Sequence, residues 1–213
     1  MAFNKIDIKS WERADAFKHY STDVPCTYSM CVNLDITKLL KQIKGKKLKI
    51  FPVILYGISY IVNRHSEFRM AKDSNGNIGW YDKTNPCFTV FHDKTEKISE
   101  VWTEYEENFE LFYNSYLSDM KTYGNERADV SKPANGNNLF NVSCIPWVSF
   151  TGFNLNLQNG YDFFPPIFTI GKYFSENEKV VLPLSIQVHH AVCDGFHLAR
   201  FINELQDWAN EFI

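Results

Sequence analysis

An α+β fold, with a mixed β-sheet and flanking helices, is the class this sequence predicts. Three observations predict it. Stretches with apolar residues at helical spacing are interleaved with alternating stretches in an irregular order, not in a regular βαβ repeat. A polar turn, Ser74-Asn75-Gly76-Asn77, joins two short apolar runs as a hairpin. A long apolar strand, 179–190, runs straight into an amphipathic C-terminal helix.

Taken in order, Trp11, Ala14, Phe17 and Tyr20 share a face of a helix over 11–20. The stretch "CTYSMCVNLDIT" (26–37) mostly alternates apolar with small or polar residues and reads as a strand. Residues 52–64 suit a buried helix with Pro52 in its first turn, where a missing N–H is tolerated. The hairpin covers 67–81, a strand follows at 87–92, and a helix over 103–122 carries Leu111, Phe112, Tyr116 and Leu117. The polar segment 123–139 is expected to be a loop. Further strands are expected near 140–145, 148–155, 165–173 and 179–190, the last two joined by the polar turn "SENEK". Phe196, Ala199, Ile202, Leu205 and Trp208 then mark one stripe of a helix over 196–212.

Composition narrows the function classes. Hydrophobic residues make up 45% of the 213 residues and aromatics 16%, with eighteen Phe and eleven Tyr, enough to bury a large core in one domain spanning 1–213. A net charge of −3 lacks the basic footprint of a nucleic-acid binder. Five cysteines, an odd number with no C-x-x-C pair, argue for reduced thiols in a cytoplasm. The N-terminus has no apolar signal core, and "FPVILYGISYIV" (51–62) is too short for a bilayer span, so no membrane is expected.

The chemistry concentrates in "QVHHAVCDGFH" (187–197), which holds three histidines, a cysteine and an aspartate. Strand alternation puts His189 and His190 on opposite faces, which makes them poor ligands for one metal. A metal on His190, Asp194 and His197 would need the chain to curl, and no ligand frame elsewhere completes it. Cys193 has no identifiable base or oxyanion pocket and reads as a buried thiol. What remains is a lone general base: a neutral imidazole takes a proton from an alcohol or thiol when one ring nitrogen is free and the other held. Asp194-Gly195 supplies a tight turn, and Asp194 can cap the following helix.

With those residues in view, "QVHHAVCDGFHLARFINELQ" resembles the signature of the type A chloramphenicol acetyltransferase family nearly letter for letter. The shorter H-x-x-x-D-G core is shared with dihydrolipoyl transacetylase and peptide-synthetase condensation domains. The segments "SWERADAFKHY", "VPCTYSM", "DKTEKISEVWTEY" (93–105), "PWVSFTGFNLN" (146–156) and "PPIFTIGKY" (165–173) resemble family segments in family order, so the likeness covers essentially the whole chain. It implies a two-layer, coenzyme A-dependent acyltransferase fold and a homotrimer with active sites at its subunit interfaces. It also implies acetyl transfer from acetyl-coenzyme A to a primary hydroxyl of chloramphenicol, with no metal.

The resemblance assigns roles residue by residue. His190 matches the catalytic base, its second nitrogen pinned by a backbone carbonyl, and His189 is left a structural neighbour. Ser143 matches the hydroxyl that stabilises the tetrahedral intermediate. Asp194 matches an aspartate paired with Arg13, with Asn154 near the same network. Tyr20, Cys26, Phe153, Leu155, Ile167 and Thr169 match the acceptor pocket, Thr169 as the holder of a water. Lys49, Lys172 and Tyr173 match the coenzyme site, while six lysines between 38 and 49 read otherwise as a solvated face. Trp147 reads as a core residue. His19 and Gly152 depart from the family's aromatic and serine and bear on acceptor fit. The rivals are an acyltransferase with another hydroxyl acceptor and a protein that sequesters the drug without turnover.

Overall fold

The computed structural model describes residues 2–124, 131–133, 136–157 and 162–212. Its centre is a sheet of strands β2 (Thr27–Asp35), β5 (Asn85–His92), β6 (Lys97–Trp102), β7 (Leu139–Ile145), β8 (Ile167–Gly171), β9 (Phe174–Glu176) and β10 (Lys179–His189), in the order β2-β10-β8-β7-β5-β6 with β9 on β10. The pairs β5/β7 and β7/β8 are parallel and the others antiparallel, so the sheet is mixed, as predicted. A small antiparallel sheet holds β1 (Phe3–Lys5), β3 (Met70–Lys72) and β4 (Ile78–Tyr81). The β3–β4 hairpin forms where its turn signal stands: the Asp73 carboxylate accepts the Asn75 and Asn77 N–H groups, and Gly76 takes the left-handed conformation at φ 78°.

Strand alternation divides the large sheet into two unlike faces. Phe88, Val142, Phe168 and Ile186 stand side by side across four strands on one face and are almost wholly buried beneath the helices. The helices are α1 (Ala14–Lys18), α2 (Thr37–Gly45), α3 (Ile50–Val62), α4 (Phe109–Tyr123) and α5 (Gly195–Glu211). Helix α3 is apolar almost all round because it is enclosed by α4, α5 and the sheet. Gly57 lets α5 approach, since a Cβ there would meet the Trp208 ring at 2.3 Å. The other face carries a row of small polar side chains, and they set the site.

Several expectations need correction. No strand forms over 148–155: Phe153 N–H binds Cys31 Sγ, Phe153 O accepts the Ser185 hydroxyl, and Leu155 N–H binds the Gln187 side chain. These side-chain anchors take over backbone groups that a ladder would have used. The helix expected over 103–122 begins only at Phe109, capped by Asn108 Oδ1 on Leu111 N–H, and 97–102 is strand β6. The strand 26–37 stops at Asp35, whose carboxylate binds the Thr37 N–H and hydroxyl, and α2 follows among the lysines. The strand expected over 165–173 forms only as β8, while β9 lies beyond it and takes in Ser175 and Glu176 of the expected turn, so the β9–β10 hairpin turns on Asn177 and Glu178, both at positive φ. The helix over 11–20 is short, passing at His19–Asp23 into a π-helical turn. The buried stripe of α5 is Leu198, Phe201, Leu205 and Ala209, so Phe196 is 71% exposed rather than inward. Of the loop expected over 123–139, residues 125–130 and 134–135 lie outside the described residues.

Candidate active site

His190 sits on the first residue after β10, in the turn that leads to α5. Its N–H donates to Cys26 O at 3.1 Å, which ties the turn to the entry of β2. The imidazole stacks flat on Tyr20, centroids 3.8 Å apart and planes 8° apart, with Tyr28 at 5.1 Å on a tilt. Among the described residues no carbonyl pins its second nitrogen, contrary to expectation: Nδ1 is buried without a hydrogen bond and lies 3.3 Å from Asp194 Oδ1. The His190 side chain is nevertheless 29% exposed. His189, on the other side of the strand, is buried against Phe164, and its Nδ1 accepts the Ala191 N–H.

Arg13 and Asp194 hold this turn in shape. Both guanidinium Nη atoms bind the Asp194 carboxylate, Nη2 at 2.6 Å, while Nη2 also donates to His190 O and Nε to Ala191 O, each at 2.9 Å. The guanidinium hydrogen bonds hold the Asp194 carboxyl below its ordinary range, against the opposing effect of burial. Asp194 N–H donates to His197 Nδ1 at 3.0 Å, half of the capping-box exchange that opens α5. Cys193 is buried and its thiol is pushed up to about 12 by desolvation, as a structural thiol requires.

A pH prediction follows from this pair. A carboxyl whose folded pKa is depressed contributes stability above its unfolded value of about 3.9 and loses it as pH falls through the folded one. Arg13→Met should therefore cost about 2 kcal/mol near neutrality, an amount reduced by the solvent reaching Asp194. The gap to wild type should narrow below about pH 4 in urea titrations, and a gap unchanged from about pH 7 to pH 3 would contradict the assignment.

Ser143 belongs to the polar face of the sheet. Ser143 stands opposite Thr169, Thr169 opposite Ser185, and Ser185 opposite Cys31. On the outer side the Thr89 and Ser143 hydroxyls are 3.1 Å apart. Two cavities meet at this pair. One, of about 250 Å³, is lined by Ser143, Phe153, Leu155, Ile167 and Thr169 among others. The second, of about 530 Å³, shares Phe88, Thr89 and Ser143 and continues along Phe51, Tyr116 and Trp147.

The predicted residues thus fall into two groups. His190, Tyr20, Cys26, Arg13 and Asp194 gather at one end of β10, and Ser143, Phe153, Leu155, Ile167 and Thr169 gather around the first cavity. Two strand spacings and five residues separate Ser143 from His190, roughly 19 Å between Cα atoms at about 4.8 Å per strand and 3.3 Å per residue. Asn154, expected near the Arg13–Asp194 network, is exposed, and among the described residues its side chain makes no hydrogen bond to either. Lys172 N–H binds Val148 O beside Trp147, and Lys49 precedes Phe51 at the start of α3, so both lie next to walls of the second cavity, with Tyr173 44% exposed. Trp147 is 58% exposed and edge-on to Phe91, not a core residue. His19 and Tyr20 pack edge to face, and a Cβ on Gly152 would meet open space. Thr89 carried no motif in the sequence to reveal it. Among the described residues no three His, Cys, Asp or Glu side chains gather as a metal-binding group, and no helix is long and apolar enough to cross a membrane.

Comparison with known proteins bears on this arrangement. A family model for chloramphenicol acetyltransferase matches residues 1–206. A Clostridium perfringens chloramphenicol acetyltransferase is 55% identical over 210 residues, covering 99% of this chain and 100% of that protein. A solved chloramphenicol acetyltransferase superposes with a TM-score of 0.85 at 20% identity, covering 98% and 100% of the two chains. An Azotobacter vinelandii dihydrolipoamide acetyltransferase superposes at 0.67 and 18% identity, covering 93% and 86%. The two-layer acyltransferase fold expected from the sequence is the fold these structures share.

Proposed function

The chain belongs to the chloramphenicol acetyltransferase family, and from that membership we propose that it moves the acetyl group of acetyl-coenzyme A directly to a primary hydroxyl of chloramphenicol, at sites shared between the subunits of a homotrimer. An acetyl-coenzyme A-dependent acetyltransferase is the activity that family membership gives. The observation that carries the finer reading is the separation of His190 from Ser143. Each stands in a well-formed half-site, and no single substrate spans about 19 Å between a base and an oxyanion donor that must both touch the reacting atoms. A second copy that brings its His190 against the first cavity completes the site, and in the same step gives the exposed Asn154 a partner subunit's network to join.

The chemistry then follows from the residues. Nε2 of neutral His190 takes the hydroxyl proton as the oxygen attacks the thioester carbonyl. The carbonyl π electrons move onto oxygen, where the Ser143 O–H donates to the growing charge. Collapse re-forms the carbonyl and breaks the carbon–sulfur bond, and the thiolate leaves with the proton that His190 had taken. Tyr20 and Cys26 beside the base, with Phe153, Leu155, Ile167 and Thr169 around the cavity, would form the wall for the acceptor ring. Lys49, Lys172 and Tyr173 would meet the coenzyme's phosphates and adenine at the mouth of the second cavity. Five free cysteines fit a cytoplasmic enzyme.

Thiol release from acetyl-coenzyme A tests the reading. Many thiols should appear per subunit when chloramphenicol is added. Stoichiometric drug binding without release would favour a sequestering protein, and release only with another hydroxyl compound would change the acceptor.

A further inference from the structure

We propose that Thr89 is a positioning residue, which donates its hydroxyl proton to Ser143 Oγ and so turns the Ser143 proton toward the developing oxyanion. The inference rests on the oxyanion role of Ser143 and deepens it. The two hydroxyls are 3.1 Å apart, and both side chains line both cavities at their junction. A serine has one proton: if Ser143 gave it to Thr89, none would be left for the carbonyl oxygen. Thr89 makes no other side-chain hydrogen bond among the described residues, so its own proton is free to occupy the Ser143 lone pair. That donation leaves Ser143 with its proton pointed into the cavity and polarises its O–H, since linked hydrogen bonds strengthen one another.

The local fold explains why a threonine serves here. Strand β5 runs parallel to β7, and the register that pairs Phe88 with Val142 brings Thr89 level with Ser143 on the polar face. Branching at Cβ stiffens χ1, so the Thr89 hydroxyl is held more firmly than a serine's would be.

The test compares Thr89→Val, which keeps the shape and loses the hydroxyl, with Thr89→Ser, in wild-type and Ser143→Ala backgrounds. Thr89→Val should lower kcat about tenfold while both KM values stay within about twofold, and Thr89→Ser should recover most of the loss. In Ser143→Ala, Thr89→Val should have no further effect, because Thr89 acts only through the missing hydroxyl. Thr89→Ala serves the same comparison if the valine variant folds poorly. Additive losses in the two backgrounds, or a raised KM with kcat unchanged, would overturn the proposal and make Thr89 plain pocket wall. Full activity in Ser143→Ala alone would instead sink the oxyanion role itself.

Discussion

Replacing His190 with alanine should lower kcat by about 10³- to 10⁴-fold in the thiol-release assay, with both KM values little changed. The size reflects the loss of the proposed base, the group that would take the acceptor's proton. Tyr28, one of the two tyrosine rings packed against His190, is pushed up by burial and stays protonated, so it cannot replace the base. Cys193 is buried and equally inert. The fold should survive, because the turn is held by the backbone of residue 190 and by Arg13, not by the imidazole. A folded variant that loses less than about tenfold would remove His190 from the chemistry.

Ser143→Ala should lower kcat by about 10²-fold, again with KM nearly unchanged, because the hydroxyl is asked to bind charge that exists only in the transition state. The hydroxyl's share in the native fold is one hydrogen bond to Thr89, worth about 1 kcal/mol, so loss of structure cannot account for such an effect. A rise in KM at constant kcat would show that Ser143 holds substrate in its ground state instead.

Much of this was legible in the sequence where local chemistry and fold agree. The Asn-Gly hairpin, the buried helix behind Pro52 and the strand-turn-helix around His190 each carry their own signal, and each forms. Segment 148–155 looked like a strand because its apolar residues alternate. Its backbone is instead held by Cys31, Ser185 and Gln187, partners more than a hundred or about thirty residues away that no local pattern reveals. Helix α2 was hidden by its lysines, which are exposed while Leu39 and Ile43 are buried beneath them. In the site, family resemblance named His190 and Ser143 but said nothing of the distance between them in one chain. That distance depends on the β7-β8-β10 order, a product of the whole sheet. Thr89 was invisible because threonine is an ordinary strand residue until the register places it beside a serine.

Mixing the two inactive variants tests the shared site most directly. His190→Ala and Ser143→Ala subunits, differently tagged, are unfolded and refolded together, and thiol release is measured on the purified mixed species. If His190 of one subunit serves Ser143 of the next around a ring of three, every mixed trimer regains one complete site. Those purified mixed trimers should then show about a third of wild-type activity per subunit. No recovery in verified mixed oligomers would mean that both residues must act within one chain, and the account of an interfacial active site would be wrong.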